Sequence, residues 1–421
     1  MASVVISGDT SGSVTLSAPA VAGTTTLTLP STSGTVLTTA STTGISGSAI
    51  STGTVAEAYG GTGTNTGYYG FKNRIINGAM VIDQRNAGAS VTTSGGNNFD
   101  PDRWIVYDAV GSKMSVQRVA DAPSGFTYSQ KITSLAATTP GSTDYYFDCQ
   151  RIEGFNVADL AWGTASAATV TLSFWVKSSL TGSFSGAFGN ASFSRSYPFS
   201  YTISAANTWE QKTITVSGDT TGTWATDNST GLQVVFDLGS GTSRAGTANT
   251  WSANDYRKVT GSVNLIGTNA ATLYITGVQL EKGSTATSFD YRPYGTELAL
   301  CQRYFEKSYN IGTVPGTNTT TGIAGYIVMA NTTTSLANNG TNAVVFKVYK
   351  RTTPTITTYD SVGNSGKLSY APAGMGRQDN ITSVVHRQAE GGFGVYTTSA
   401  SSLTTGQAVE QFHQWTADAE L

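Results

Sequence analysis

The residues best suited to acid–base chemistry lie close together in the stretch DYYFDCQRIEG. It holds three carboxylates, Asp144, Asp148 and Glu153. Glycoside hydrolysis needs two carboxyl groups about 5 to 10 Å apart, and residues an even number apart share one face of a strand. Asp144 and Asp148 meet that spacing, so the stretch allows a glycan depolymerase. The alternative is a loop edge or a cross-strand hydrogen-bond set, because a chain with 26 acidic residues contains such a pair by chance.

The sequence lacks the other common patterns for catalysis. A Ser-His-Asp set needs a positioned imidazole, and the two histidines, His386 and His413, both lie near the C-terminal end. Neither G-x-S-x-G nor H-E-x-x-H occurs. The two cysteines, Cys149 and Cys301, have no zinc-ligand spacing, and we interpret them as buried, reduced thiols. We therefore expect no enzyme activity and no cofactor.

Aspartates in two places could supply oxygen ligands to Ca²⁺. These are Asp100 and Asp102 in NNFDPD, and Asp219 or Asp227 further along the chain. Ca²⁺ takes six to eight oxygens from a preformed loop, and no EF-hand-like spacing is present. We interpret Asp100 and Asp102 as turn residues on either side of Pro101, and expect no metal site.

Sugar binding uses different side chains, namely aromatic rings that stack on sugar C–H surfaces and polar groups that bond the hydroxyls. The stretch YDSVGNSGKLSYAPAGMGRQDN, residues 359–380, is glycine-rich, polar and aromatic, as exposed recognition loops tend to be. Two more polar candidates follow it, and one tryptophan lies much earlier. The candidate ligand-binding residues are Tyr359, Asn364, Tyr370, Arg377, Asn380, His386, Arg387 and Trp175.

Composition predicts that strands position these residues. Only 12% of the chain is charged, against about 25% in ordinary soluble proteins, and it contains 48 glycines. With many Thr, Ser and Tyr, this is an all-β composition. In TVTLSFWVK the apolar row Val170, Leu172, Phe174 and Val176 takes one face, so it is the predicted core. Trp175 takes the other face, where it either forms a sugar platform or packs against a neighbouring protomer; we favour packing.

Changes in pattern divide the chain into five predicted segments. Short alternating runs with Gly, Asn and Asp turns predict a β-sandwich or jelly roll at 68–294. The stretch GTELALCQRYFEKS predicts a helical connector at 295–310. Renewed alternation predicts a smaller C-terminal β-sandwich, the distal tip, at 311–421. Residues 51–67 are glycine-rich and predict a linker, and 1–50 predict an N-terminal region of short strands.

The N-terminal region is almost uncharged. Before Glu57 its one charged side chain is Asp9, and apolar residues such as Val14 and Leu16 alternate with Thr and Ser. Such short strands cannot bury enough surface alone. We expect this attachment and trimerisation region to become ordered only with neighbouring chains or a docking partner.

Charge and hydropathy exclude two classes of partner. The formal net charge is −2, with no basic run to attract nucleic acid or an anionic membrane. The sequence contains no run of about 18 apolar residues, and its N-terminus lacks the pattern of a secretory signal. We expect no nucleic-acid binding, no membrane insertion, and synthesis in a cytosol.

Three stretches resemble tail-fibre and tail-tip proteins of tailed bacteriophages and prophages. The first is NRIINGAMVIDQRNAGASV followed by DRW, at 73–91 and 102–104. The second, at 208–241, is TWEQKTITVSGDTTGTWATDNSTGLQVVFDLGSG, and the third, at 276–309, is TGVQLEKGSTATSFDYRPYGTELALCQRYFEKSY. The linker and the Thr-rich N-terminal strands are similar to fibre-type sequence too, so the resemblance covers most of the chain up to about residue 309.

The resemblance implies a homotrimeric fibre in the virion tail, assembled in the host cytoplasm. Its N-terminal part would attach to a tail or baseplate protein, and its distal part would contact a bacterial surface glycan or protein. The middle module resembles carbohydrate-binding jelly rolls. Trimerisation also fits the physics, because three chains can close uncharged strands into a shared core. The alternatives are a tail-associated glycan depolymerase, or a structural spacer that carries another receptor-binding protein.

Overall fold

The structure is a computed structural model that describes residues 3–7, 11, 13–17, 71–333, 336, 342–397 and 401–421. The chain divides into two compact units, Met1–Gly53 and Thr54–Leu421. Most of the predicted N-terminal region 1–50, and all of the predicted linker 51–67, lie outside the described residues. The expectations about their attachment and ordering therefore stay predictions.

The described part of the first unit is a single hairpin. Strands β1 (Ser3–Ser7) and β2 (Ser13–Ser17) pair antiparallel, with Val5 opposite Thr15. Val5 is 57% exposed. A lone two-stranded hairpin is only marginally stable in water. The hairpin thus has the short alternating strands that the sequence predicts.

Two six-stranded antiparallel sheets form the first part of the second unit. Their orders are β11-β10-β13-β8-β5-β4 and β12-β9-β16-β7-β6-β3, while β14 and β15 form a small parallel pair. The all-β class and the sandwich are confirmed. The strands are β3 (Val91–Thr92), β4 (Gly96–Phe99), β5 (Ile105–Asp108), β6 (Met114–Val119), β7 (Ser129–Ser134), β8 (Tyr146–Glu153), β9 (Val170–Ser178), β10 (Gly182–Gly189), β11 (Ser196–Ile203), β12 (Glu210–Val216), β13 (Thr230–Asp237), β14 (Ala245–Gly246), β15 (Lys258–Val259) and β16 (Thr272–Lys282).

The core lies between the two sheets. Phe174 of β9 meets Phe236 of β13 edge to face, with ring centroids 5.0 Å apart. All four members of the predicted apolar row on β9 are fully buried, so that prediction is confirmed. The opposite face of β9 is also covered, because Thr171 donates to the Gly283 carbonyl at 2.8 Å and the Lys177 ammonium pairs with Asp121.

The rest of the second unit is one α-helix, as far as the described residues show, followed by nine strands. Strand β25 is central: its first half pairs with β18 and β21, and its second half with β17 and β20. A separate sheet has the order β19-β24-β23. The elements are α1 (Tyr294–Gln302), β17 (Phe305–Lys307), β18 (Ala324–Met329), β19 (Asn342–Val345), β20 (Thr355–Tyr359), β21 (Lys367–Pro372), β22 (Gln378–Thr382), β23 (Val384–Ala389), β24 (Gly392–Tyr396) and β25 (Ala408–Asp418).

Buried charges join the distal strands to the sandwich. The Arg103 guanidinium is 1% exposed, pairs with Glu420 and lies 3.5 Å from the Tyr304 ring centroid. Arg303, just after α1, pairs with Glu153 of β8 at 2.5 Å. The sandwich, the helix and the distal strands therefore lie in one compact unit. The predicted limits 68–294, 295–310 and 311–421 stay predictions, although α1 does fall at the start of the expected helical connector.

Candidate functional site

An open pocket of about 380 Å³ lies on the three-stranded sheet of the distal region. Strand β24 forms its floor, and the side chains of Val345, Tyr349 and Arg387 are part of its lining. One of these, Arg387, is a residue that the sequence singled out. Sequence reasoning missed Tyr349, because it lies in the irregular segment between β19 and β20, where no periodicity draws attention to it.

Tyr349 presents its ring to solvent. Its side chain is 73% exposed, and the neighbouring Val345 is 78% exposed. The ring lies close to the backbone before β24, since a Cβ atom at Gly391 would be 3.0 Å from the Tyr349 Cε1. An exposed aromatic ring that rests on the backbone keeps an apolar face for a ligand, with a hydroxyl at its edge.

Arg387 reaches the same pocket from an irregular point in β23. The register between β23 and β24 shifts between His386 and Ala389, and Arg387 has a φ of 51°. A bulge of this kind turns a side chain away from the regular alternation of the strand. The guanidinium is exposed and offers up to five N–H donors in a fixed plane. The pocket thus combines an aromatic face with a fork of donors.

His386 lies beside the pocket as a packed, half-buried side chain. Its ring meets Tyr396 edge to face at 4.9 Å. Burial, and then the positive charge of Arg387, lower the pKa of His386 below its ordinary value. The imidazole is therefore neutral at pH 7.

The predicted recognition loop at 359–380 is organised around a buried carboxylate. Asp360 is fully buried and accepts four hydrogen bonds of 2.8 to 3.1 Å, from the amides of Val362, Asn364 and Asn380 and from the Asn364 side chain. Tyr359 meets Tyr309 edge to face at 6.0 Å. The structure thus brings together Tyr359, Asn364 and Asn380, in a rigid turn.

Two other predicted residues of this loop have different surroundings. Arg377 is exposed and pairs with Asp379 at 3.0 Å. Burial acts to raise the pKa of Asp379, but hydrogen bonds from Ser369, Ser361 and Arg377 outweigh it, so the pKa is lowered. Tyr370 is 1% exposed and packs in an apolar cluster, so its ring presents no surface to a ligand and we remove it from the candidate set. Alternation places it on the inner face of β21, which the loop-like composition concealed.

Trp175 lies apart from the distal residues, on the outer face of β9. It is half-buried, and a Cβ atom at Gly277 would lie 3.0 Å from the Trp175 Cδ1 and 2.6 Å from the Phe126 ring. Phe126 and Gly277 of its own chain therefore lie close to the ring. Its assignment as a ligand-binding residue stays a prediction.

The three carboxylates that could have formed a hydrolytic site do not come together. Asp148 is fully buried, and burial raises its pKa to about 8. Glu153 lies on the opposite face of β8, where it binds Arg303 at 2.5 Å and accepts a hydrogen bond from the Tyr304 hydroxyl at 2.8 Å. Asp144 precedes the strand and accepts from the Gly141 amide at 2.7 Å. These three carboxylates therefore do not form an acid–base pair that faces one substrate.

The candidate calcium ligands have protein partners with one exception. Asp102 accepts from Gln84, and Asp219 binds Arg195 through two contacts of 2.6 and 2.9 Å. Asp227 accepts from its neighbour Ser229, whereas both oxygens of Asp100 are buried without a partner. Within the described ranges, no group of three His, Cys, Asp or Glu side chains is arranged to hold a metal ion.

The sequence predicts that both cysteines are buried thiols and that the chain does not insert into a membrane. Cys149 and Cys301 are both free and buried, as predicted, and burial raises the pKa of the Cys149 thiol to about 12. No helix in the described part of the chain has the length and apolar character needed to cross a membrane.

Comparison with known proteins gives weak similarities of structure and none of sequence. No protein-family model and no curated protein matches this chain. The enzymatically active domain of bacteriophage CBA120 tailspike protein 4 matches at 12% identity over 50% of this chain and 22% of that chain, with a TM-score of 0.28. The family 11 carbohydrate-binding module of a Clostridium thermocellum cellulosomal cellulase matches at 13% identity over 47% of this chain and 98% of that chain, with a TM-score of 0.24. At such scores neither similarity carries an argument about function.

Proposed function

We propose that this protein is an adhesive structural component of a phage or prophage tail. In this proposal it forms a homotrimeric tail fibre or tip that resides in the virion and is assembled in the host cytoplasm. Its N-terminal region attaches to a tail or baseplate protein, and its distal region recognises a glycan on the bacterial host surface. The extended resemblance at 73–309 to tail-fibre and tail-tip sequences supports this proposal.

The observation that carries the adhesive part of the proposal is the distal pocket. Tyr349 supplies a solvent-facing ring and Arg387 supplies directional donors within one open surface. Those are the two kinds of group that a sugar needs, an apolar face for its C–H surface and polar partners for its hydroxyls. A pocket this open binds weakly by itself, and three copies on one fibre gain affinity through avidity.

We propose no covalent step. The depolymerase alternative relied on Asp144, Asp148 and Glu153. Because Asp148 is buried and Glu153 is paired with Arg303, these residues no longer support that alternative. The spacer alternative differs from the proposal in one measurable respect, because a spacer would have no affinity of its own for the host surface.

Adsorption of the purified full-length protein to bacterial cells tests the proposal. The full chain is required because buried ion pairs join the distal region to the sandwich. A panel of bacterial strains is incubated with labelled protein before and after periodate oxidation of the surface glycans. We expect saturable binding to the host strain, loss of binding after oxidation, and competition with the phage for adsorption. Absence of binding to every strain that the phage infects would support the spacer, and release of oligosaccharides would support the depolymerase.

A further inference from the structure

A second cavity lies in the β-sandwich, formed by residues that are distant in sequence from the distal pocket. It measures about 210 Å³ and is enclosed by β13 and the segments 157–164 and 224–226. Trp162 and Trp224 form part of its wall together with aliphatic side chains that include Leu160 and Leu232. None of the described residues that line it carries a charge. Thr164 and Thr226 contribute the polar side chains of the lining, so the site is mostly apolar, with two aromatic rings in its wall.

Three tryptophans pack together beside this cavity, and two of them, Trp162 and Trp224, line it. The rings of Trp162, Trp224 and Trp251 have centroid separations of 4.8, 5.4 and 5.6 Å and interplanar angles of 85°, 81° and 84°, so each ring stands edge-on to the other two. Their indole N–H groups all donate to backbone carbonyls of nearby loops, those of Ala168, Thr221 and Ser217. Because all three donors are already bonded, the tryptophans offer a ligand ring surface alone.

Close packing holds the cavity open in one shape. Gly231 of β13 lies so close to the loop after β8 that a Cβ atom there would be 2.6 Å from the Gly154 Cα and 2.7 Å from the Val157 Cγ2. Asp219, which is 2% exposed, binds Arg195 and so fixes the start of the loop that carries Trp224. Small-molecule sites are usually preformed in this way, concave and mostly apolar.

The volume limits what can enter. An engineered apolar cavity of about 150 Å³ takes up benzene. A cavity of about 210 Å³ therefore has space for one six-membered ring or a ring edge with a small substituent, but not for a chain of sugars. The mostly apolar lining adds a second limit, because among the described lining residues only Thr164 and Thr226 offer a side-chain hydroxyl. A sugar hydroxyl that enters away from them loses its bonds to water, whereas a methyl group gains from burial.

We propose that this cavity binds a neutral sugar that presents a methyl group, either in an acetamido substituent or as a 6-deoxy carbon. A charged sugar is disfavoured because the lining supplies no counter-charge. The choice of a sugar over another small apolar molecule rests on the proposed function. The site itself is separate from the distal pocket, since the two share no residue.

Titration of the full-length protein with free sugars tests this inference. The probes are N-acetylglucosamine, 6-deoxyglucose and glucose, followed by calorimetry and by tryptophan fluorescence. One methyl group in a hydrophobic pocket is worth roughly 10- to 200-fold in affinity. We expect at least one of the two methyl-bearing sugars to bind about 10-fold or more tightly than glucose. Whichever of these two sugars binds more tightly identifies the substituent that enters the cavity.

Three variants assign the binding to the cavity. Trp224→Ala removes one wall, and Ala158→Phe fills the cavity from an exposed position while leaving all three tryptophans in place. Trp209→Ala is the matched control, because Trp209 packs against Tyr274 on the outer face of the other sheet. We expect the first two to lose about 10-fold or more in affinity and the third to bind as the wild type does. Equal affinity for the three sugars, no binding of any, or wild-type binding by Ala158→Phe would each overturn the inference.

This experiment separates failure of the inference from failure of the proposed function. It uses no cells, so it reports on the sandwich cavity alone. If the sugars do not bind but the protein still adsorbs to host cells, only the inference is overturned. If the sugars bind as expected but adsorption fails on every strain that the phage infects, only the proposed function is overturned.

Discussion

Two buried aspartates make the stability of this protein depend on pH. Asp148 and Asp100 are fully buried, and burial first of all raises the pKa of each from 3.8 to about 8. For Asp100 the nearby carboxylates of Asp83 and Asp102 act in the same direction, and Arg118 opposes them. Both groups are therefore neutral in the folded chain at pH 7, whereas they are ionised in the unfolded chain.

The sign of the pH dependence follows from these two groups. Between about pH 4 and pH 8 these two aspartates hold protons in the folded chain that they release in the unfolded chain, so their contribution to the free energy of unfolding falls as the pH rises. Asp148→Asn keeps an acceptor for the Gln130 side chain and removes the ionisable group. We expect this variant to unfold at the same temperature as the wild type near pH 4 and at a higher temperature near pH 8, measured by thermal unfolding at each pH. If the unfolding temperatures of the two proteins differed by the same amount at every pH, the raised pKa of Asp148 would be contradicted.

Asp360 determines the shape of the predicted recognition loop. Asp360→Ala leaves four donors without their acceptor in a buried position, and we expect a loss of roughly 2 to 4 kcal/mol of local stability. Hydrogen–deuterium exchange should show faster exchange of the 359–382 amides, with little change in the sandwich. The exposed Asp227, whose side chain accepts hydrogen bonds from its neighbour Ser229, provides the control Asp227→Ala. Unchanged protection of the loop in Asp360→Ala would contradict this role.

For single residues, the sequence predicts which face of a strand a side chain takes better than it predicts which other residues pack on that side chain. Alternation correctly placed Phe174 in the core. It also put Trp175 on the opposite face, but could not show that Phe126, 49 positions earlier, lies close to it. Tyr349 escaped notice for a related reason, since its ring lies beside Gly391, which is distant in the chain. Contacts between remote segments leave no local pattern in a sequence.

Strand β25 is the element on which the distal region is built. It pairs with β17, β18, β20 and β21, and the residues that follow it reach the sandwich. The Arg351 guanidinium donates to the carbonyls of Ala419 and Glu420, and Arg151 donates to the Leu421 carbonyl at 2.5 Å. Residues 419–421 thus act as a clamp between the distal strands and β8.

Loss of one charge in this clamp should loosen the connection. Glu420→Gln removes the charged partner of Arg103, which is 1% exposed, and breaking a buried ion pair costs roughly 3 to 5 kcal/mol. We expect a lower unfolding temperature and faster proteolysis between the sandwich and the distal strands. Glu410→Gln is the control, because Glu410 lies on β25 and is exposed. Equal stability of the two variants would show that the clamp does not hold the modules together.

The elements differ in how well their sequences predicted them. Strand β9 was predictable because apolar and polar residues alternate along it, although both of its faces are mostly buried in the structure. The distal strands were recognisable as strands, but β25 serves four partners, and no local pattern in EQFHQWTADAE shows that. The single helix was predictable from GTELALCQRYFEKS, yet Phe305 belongs to β17, since the chain turns at Arg303 to join the sheet.

For the whole molecule, the proposal requires that three chains associate through the N-terminal region. We expect a solution mass of three times the 43.8-kDa chain for the full protein. Deletion of residues 1–67 should leave a folded sandwich and distal region that no longer enters virions. Light scattering and complementation of a phage that lacks the gene measure the two properties. A monomeric full chain, or normal incorporation of the truncated protein, would contradict the attachment role.

Binding of matched variants to host cells measures whether the distal pocket contacts the host surface. Tyr349→Ala combined with Arg387→Ala removes the ring and the donors, while Tyr294→Ala removes another exposed tyrosine, on helix α1. Loss of residues that dominate an interface costs at least about 2 kcal/mol, or more than about 10-fold in affinity. We predict that the double variant keeps its unfolding temperature and oligomeric mass but loses binding to host cells by that factor, while Tyr294→Ala binds as the wild type does. Undiminished binding by the double variant would show that the distal pocket does not bind the host surface.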